Sequence, residues 1–331
     1  MGTVRAGPSG FGPGVLFSAA VSTCPLRLTP TPLAPALLAG LLVALPGCSM
    51  RKAAVDTIGT ALAEGGTTYA RDDDPELVAA AAPFGLKMVE GLLETSPQNE
   101  ALLLSAASGF TEYAFAFVQC EADFVEAKDL ARATELRNRA KRLYRRARAY
   151  GLRGLEARHR GFEARLRTDN ASALAGTRSR DVPLLYWTAV AWGAETSLSK
   201  GDPELTADQG LVEALARRAL ALEEAFNAGA LHDFFIAWEG GRPPSAGGSL
   251  QRAREHLDRA LALSRGQRAA PLVSYAETAL VASQDRAAFE ETLKKALEID
   301  PDNDPHVRLA NLVAQKRARW LLSRTGELFL E

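Results

Sequence analysis

Residues 285–303 read "DRAAFEETLKKALEIDPDN". Phe289, Leu293 and Ala296 recur at helical spacing, so they share one face of a helix running over 285–298. The helix stops where Pro301 cannot continue it. Residues 92–99, "LLETSPQN", close another apolar run in the same way, with a polar residue, a proline and an asparagine. One helix ending used at both ends of a chain points to a repeated unit.

The unit recurs between them. Ala140-Tyr144-Ala147 and Ala253-Leu257-Ala260 each place a small residue, a bulky one four later and an alanine three after that. Leu293-Ala296-Pro301 carries the later positions, with Phe289 in place of the small residue, and "RRALALEE" (217–224) repeats the flavour at Ala219. This is the second-helix pattern of a tetratricopeptide repeat. Ala260 and Ala296 stand 36 residues apart, near the usual spacing of about 34. The small residue lets two helices approach, and the bulky one fills the space beside it. Each pair buries only part of its apolar surface, so pairs must stack. The expected fold is all-α, a degenerate tetratricopeptide-like helical-repeat solenoid. Asp74-Pro75, Asp202-Pro203 and Asp304-Pro305 each set an acidic cap before a proline at the first helical position. The spacing predicts helices near 51–63, 75–95, 98–120, 122–150, 152–166, 183–200, 203–225, 229–238, 249–264, 270–283, 285–298 and 304–324. "EGGRPPSAGGS" (239–249) reads as a loop, and no Gly-Lys-Ser/Thr follows to make it a phosphate site.

The first 47 residues carry only Arg5 and Arg27 and no acid, and Leu33 to Leu45 is almost wholly apolar. That run is shorter than the roughly 20 residues needed to span a bilayer and fits the apolar region of a secretory signal. It ends Leu45-Pro46-Gly47-Cys48, which resembles a bacterial lipobox apart from Pro46. The expected organisation is a lipoprotein signal over 1–47, a lipidated N-terminus and first helix over 48–64, and a helical-repeat domain over 65–331. Cys48 is the expected lipidation site and membrane anchor. Ser49 in place of Asp favours the periplasmic side of the outer membrane. Cys120, in "YAFAFVQCEA", reads as a small buried hydrophobe.

No catalytic constellation is present: no G-x-S-x-G, H-E-x-x-H or C-x-x-C. His159, His232, His256 and His306 are scattered, so neither an enzyme, a metal site nor a cofactor is expected. The formal net charge is −1, yet residues 132–167 hold 13 Lys/Arg against three Glu. Arg142, Arg145, Arg146 and Arg148 are the candidate contacts for an acidic partner, the plain alternative being a solvated helix. Nucleic acid is not expected as a partner of an exported protein. Tyr113, Phe117, Tyr186, Trp187 and Trp192 lie on two helices with apolar bulk all round. They either pack as core or border a cavity for an organic acid with an apolar tail, whose carboxylate a nearby arginine would meet.

"ALLLSAASGFTEYAFAFVQCEAD", "DVPLLYWTAVAWGAE" and "RLANLVAQKRARWLL", with "AGALHDFF" and "YAETALVASQDRAAFEETLKKALEID", occur in this order. Together they resemble the TatT family, the tetratricopeptide lipoproteins associated with tripartite ATP-independent periplasmic (TRAP) transporters. The resemblance runs from Cys48 to about Phe329. It implies a homotrimer, a partner in the transporter's periplasmic substrate-binding subunit, and a pore or cleft for a hydrophobic or organic-acid ligand. The alternative is a tetratricopeptide scaffold lipoprotein for envelope assembly, exposing a polar groove and binding no small ligand.

Overall fold

The computed structural model describes residues 66–330, Lys200 excepted. Cys48, the signal segment and the helix expected over 51–63 lie outside the described residues. Among those described, the secondary structure is helical throughout, with no strand. A short α1 (Gly66–Ala70) leads into α2 (Pro75–Thr95), capped by Asp74. Then α3 (Glu100–Tyr113) continues through a π-helical stretch (Ala114–Gln119) into α4 (Cys120–Val125). The long α5 (Leu130–Arg158) and the short α6 (Phe162–Thr168) and α7 (Asn170–Ala175) follow. Next come α8 (Val182–Ser197), α9 (Pro203–Ala207), α10 (Gln209–Leu222), α11 (Ala230–Gly240) and α12 (Leu250–Leu263). The chain closes with α13 (Ala270–Tyr275, extended by a π-helical stretch to Leu280), α14 (Arg286–Glu298), α15 (Arg308–Ser323) and α16 (Thr325–Leu328).

These helices stack as antiparallel neighbours in the manner of a helical repeat. Outer helices α2, α5, α10, α12 and α14 alternate with inner helices α3, α8, α11, α13 and α15. The triads read from the sequence lie in the contacts between them. Ala140, Tyr144 and Ala147, then Ala253 and Ala260, then Phe289, Leu293 and Ala296 are all fully buried, with Leu257 nearly so. Small residues bring the backbones close, and the bulky one fills the gap.

Several boundaries differ from the sequence reading: the break expected near 121 falls after Val125, and the helix expected over 203–225 divides at Asp208 into α9 and α10. A break was expected at Gly151, between helices over 122–150 and 152–166, but α5 runs unbroken through Gly151 and Gly154. Both glycines face α8. A Cβ on Gly151 would lie 2.2 Å from Thr188 Oγ1, and one on Gly154 would lie 2.6 Å from Leu184 Cδ2. They serve the α5–α8 contact rather than ending a helix.

The last pair returns to the first. Arg308 donates to the Arg71 carbonyl at 2.9 Å, and Arg71 reaches His306 at 3.1 Å. Deeper, the buried Arg317 of α15 binds Asp123 of α4 at 3.0 Å and Glu277 beside α13 at 2.7 Å. Its Nη1 also lies 3.4 Å from Cys120 Sγ. Phe124 and Trp320 meet edge-on across the same seam, ring centroids 5.5 Å apart. Cys120 is 1 % exposed, and burial pushes its thiol up to about 11, so it packs as an inert group. The array thus closes on itself, with the inner helices facing one another.

Gly151→Ala should destabilise the fold by about 1–3 kcal/mol, because Thr188 has to move. Gly91→Ala, at a mid-helix position with nothing near its Cβ, should be neutral or stabilising by about 0.5–1 kcal/mol. Urea unfolding of both variants checks the pair; equal stabilities would mean the glycine contact is dispensable.

Candidate functional site

The inner helices each keep one accessible stripe. The combined helix Glu100–Val125 is apolar and long enough to cross a membrane by composition alone, yet it is half buried between α2 and α5. Its remaining accessible surface follows a helical stripe through Ser105, Ser108, Glu112 and Phe115. On α8 the partly accessible positions are Pro183, Trp187, Val190 and Ala194, and on α11 they include Asp233, Phe234 and Ala237. Side chains spaced three to four residues apart line one face of a helix, so these stripes are continuous.

Glu112 defines the character of this face. Its side chain is accessible, yet desolvation by the surrounding protein pushes its carboxyl up to about 7. The carboxyl sits on the accessible stripe of α3, among protein that disfavours its charged form. No hydrogen-bond partner meets it among the described residues. On α11, Asp233 pairs through Oδ2 with Arg268, while its buried Oδ1 has no partner. Desolvation pushes Asp233 up to about 6, against the pull of Arg268. Tyr186, 9 % exposed, lies within electrostatic reach of Asp233, Arg268 and Glu112. Its ring packs on Trp187 at 4.9 Å and on Phe226 at 5.4 Å. Burial and the neighbouring carboxylates raise its phenol.

The backbone beside this group is strained. Asn227, Ala228 and Gly229 all have positive φ, at 44°, 52° and 92°. An alanine there costs about 1 kcal/mol or more. Arg268 also donates to the Ala228 carbonyl. The turn sets Phe226 against Tyr186 and starts α11 three residues before Asp233.

The five aromatic residues singled out in the sequence fall in three places. Tyr186 and Trp187 pack on each other, Tyr186 buried and Trp187 partly accessible. Tyr113 and Phe117 pack on each other at 5.9 Å, and Arg139 of α5 donates to the Tyr113 hydroxyl at 3.2 Å. Trp192 is fully buried, between Arg148 at 4.9 Å and Arg167 at 5.5 Å. It borders no accessible space and drops out of any ligand-contacting set. An arginine near these aromatics was also expected: Arg139 lies beside Tyr113 and Arg148 and Arg167 beside Trp192, while Arg268 pairs with Asp233.

The basic segment is partly internal. Arg145 and Arg148 bind the two oxygens of Glu195 at 2.8 and 3.1 Å, and Glu195 is fully buried. Arg146 lies 3.5 Å from Glu90 and over the Phe110 ring. Arg142 borders a surface concavity of about 390 Å³ with Arg132, Glu135, Leu136, Asn138 and Arg139. A second of the same volume is bordered by Thr68, Arg71, Asp72, Asp73 and Arg308. The second is mainly polar, the first about evenly polar and apolar, and neither is lined by the five aromatics. Among the four arginines, the structure ties Arg148 most firmly into the interior.

The histidines are less scattered than their sequence positions imply. His232 Nδ1 lies 2.8 Å from His256 Nδ1, and His232 Nε2 lies 3.2 Å from Glu224. His256 stacks on Phe235 at 4.9 Å. Arg259 binds both Glu224 oxygens and holds that carboxyl down to about 2. Burial depresses both imidazoles, His256 to about 4. Among the described residues, no group of three or more His, Cys, Asp or Glu is arranged to hold a metal.

Arg148→Met should cost about 3 kcal/mol in urea unfolding, since it leaves Glu195 buried with one cation fewer; Glu195→Gln in the same chain should recover part of that loss. The depressed His256 binds its proton later in the folded than in the unfolded chain. Its contribution is therefore lost as pH falls from about 6.5 towards about 4. Glu112 and Asp233 titrate with the opposite sign in that window. The test is accordingly the wild-type stability minus that of His256→Gln, which should shrink as the pH is lowered. A difference independent of pH would dismiss the histidine pair as a titrating element.

The comparisons bear on the whole domain. Over 306 residues, 86 % of this chain and 94 % of the other, the sequence is 29 % identical to an uncharacterized protein of Treponema pallidum (strain Nichols). The family described as the TRAP transporter T-component, TAtT, matches residues 71–329, the span that holds the closed array. The chain belongs to the TRAP transporter T-component family.

Proposed function

We propose that this T-component is a lipid-anchored accessory that engages the transporter's periplasmic substrate-binding subunit and passes a hydrophobic ligand through the space between its inner helices. The observation that carries the reading is the closure of the array, by Arg317 to Asp123 and Glu277, around an inner face that combines Tyr186 and Trp187 with Glu112. A solenoid that served only as a scaffold has no need to join its ends.

The anchor is Cys48, the membrane is the outer membrane on its periplasmic side, and the assembly is a homotrimer. The protein binds rather than catalyses. Arg142 and the more exposed Arg145 and Arg146 supply the basic side of the partner contact. The scaffold reading keeps one observation in its favour: both surface concavities are lined by charged and polar residues, as a peptide-binding groove would be.

Cys48→Ala should abolish palmitate labelling and release the protein from the membrane fraction. The full chain purified from membranes should retain the substrate-binding subunit through gel filtration at low salt, and Arg142→Glu should weaken that retention. Loss of labelling with no association at any salt concentration would leave the scaffold reading standing; labelling of the Cys48→Ala chain would sink the anchor.

A further inference from the structure

The apolar surface of α2 is larger than its packing uses. Leu86, Val89 and Leu93 are buried against α3. On another side of the same helix Leu77 is 58 %, Phe84 72 % and Met88 42 % exposed. Their spacing of i, i+7 and i+11 sets the three on one line along the helix. Ala80, Ala81 and Gly91 fill that line without a charge, and a Cβ on Gly91 would meet nothing within 4 Å. Tyr69 of α1 borders the line, its hydroxyl 3.3 Å from where a Cβ on Gly85 would stand. Of the eight large apolar side chains exposed among the described residues, these three and Tyr69 make up half. The exposure is therefore a patch at the start of the array and not scatter, and such patches mark a contact with protein or membrane.

Position supplies the occupant. Seventeen residues separate Cys48 from Gly66. That length spans roughly 25 Å as a helix or as a coil, about half the width of a compact domain of this size. A chain anchored at Cys48 therefore turns its α1–α2 side toward the bilayer. We propose that the outward face of α2 lies on that bilayer, with Leu77, Phe84 and Met88 set among the upper acyl chains. The inference rests on the Cys48 anchor proposed above and adds a second contact, which holds the array in one orientation on the membrane. Apolar burial drives it, since a helix lying in the interface sinks its apolar face about 5–10 Å into the headgroup and acyl boundary. Charge opposes anionic lipid here: residues 71–90 carry five acids against Arg71 and Lys87, so the contact is with zwitterionic headgroups.

The test uses the lipidated full chain in phosphatidylcholine vesicles. Phe84→Cys carries a bimane label, and Glu255→Cys, exposed on α12, carries it as the control; Cys120 is buried and stays unlabelled. Quenching is read with iodide in the water and with bromine on the lipid acyl chains. The label at Phe84→Cys should be quenched several-fold more by bromolipid, and several-fold less by iodide, than the label at Glu255→Cys. Leu77→Asp in the Phe84→Cys chain should reduce the bromolipid quenching and leave the circular dichroism unchanged, because Leu77 is mostly exposed in the fold. If iodide quenches the two labels alike, α2 faces water, and the docking is wrong while the anchor stands. If neither quencher reaches the label at Phe84→Cys, protein covers the stripe, a second copy or the chain's own N-terminal segment, and the bilayer is not its partner. Palmitate labelling of Cys48→Ala would remove the anchor and the docking with it.

Discussion

A repeat array is open by nature: each helix pair meets only its neighbours, and the end pairs expose unfilled apolar surface. Here the ends are joined around one buried guanidinium, with the Arg71–His306, Arg308–Arg71 and Phe124–Trp320 contacts beside it. Arg317 reaches Asp123 from the first pairs and Glu277 from a later one, with Cys120, Phe115 and Trp320 around it. Removing an ionised group from water is expensive, and the cost is offset only when partners satisfy its donors. The planar fork of arginine does so in several directions at once. Once this contact is made, the inner helices confront one another instead of solvent, and everything proposed for the inner face depends on it.

Closure also explains the division of polar chemistry in the molecule. Across the outer layers, charges are neutralised in pairs: Arg145 and Arg148 on Glu195, Arg137 on Asp123 and Glu126, Arg158 on Glu100 and Asp181. These fix how one helix sits on the next. Pairing is incomplete at several buried atoms in different parts of the fold, among them Asp233 Oδ1, Trp192 Nε1 and Glu239 Oε1. Asp233 follows closely on the left-handed run Asn227–Gly229. Unpaired groups and backbone strain both cost stability.

The family relationship covers the span that this closure ties together, from Arg71 to Phe329. The histidine pair between α11 and α12, with its relay to Glu224 and Arg259, ties the helix that carries Asp233 to its outer neighbour.

Much of the fold was legible in the sequence because its determinants are local. Ala140, Tyr144 and Ala147 lie within two helical turns, so their spacing alone states that they share a face, and their residue types state that the face admits a close neighbour. The proline-flanked caps, the all-helical class and the repeat follow from the same short-range rules. What tertiary structure decided involves pairs that no local pattern links. Arg317 and Asp123 are separated by 194 residues, and His232 meets His256 only because α11 and α12 fold back on one another. The run of thirteen basic residues read as a charged surface, since a sequence shows the charge but not the Glu195 and Glu90 carboxylates that another helix brings to it. Gly151 read as a break, because its missing side chain has the same appearance whether it loosens a backbone or makes room for Thr188.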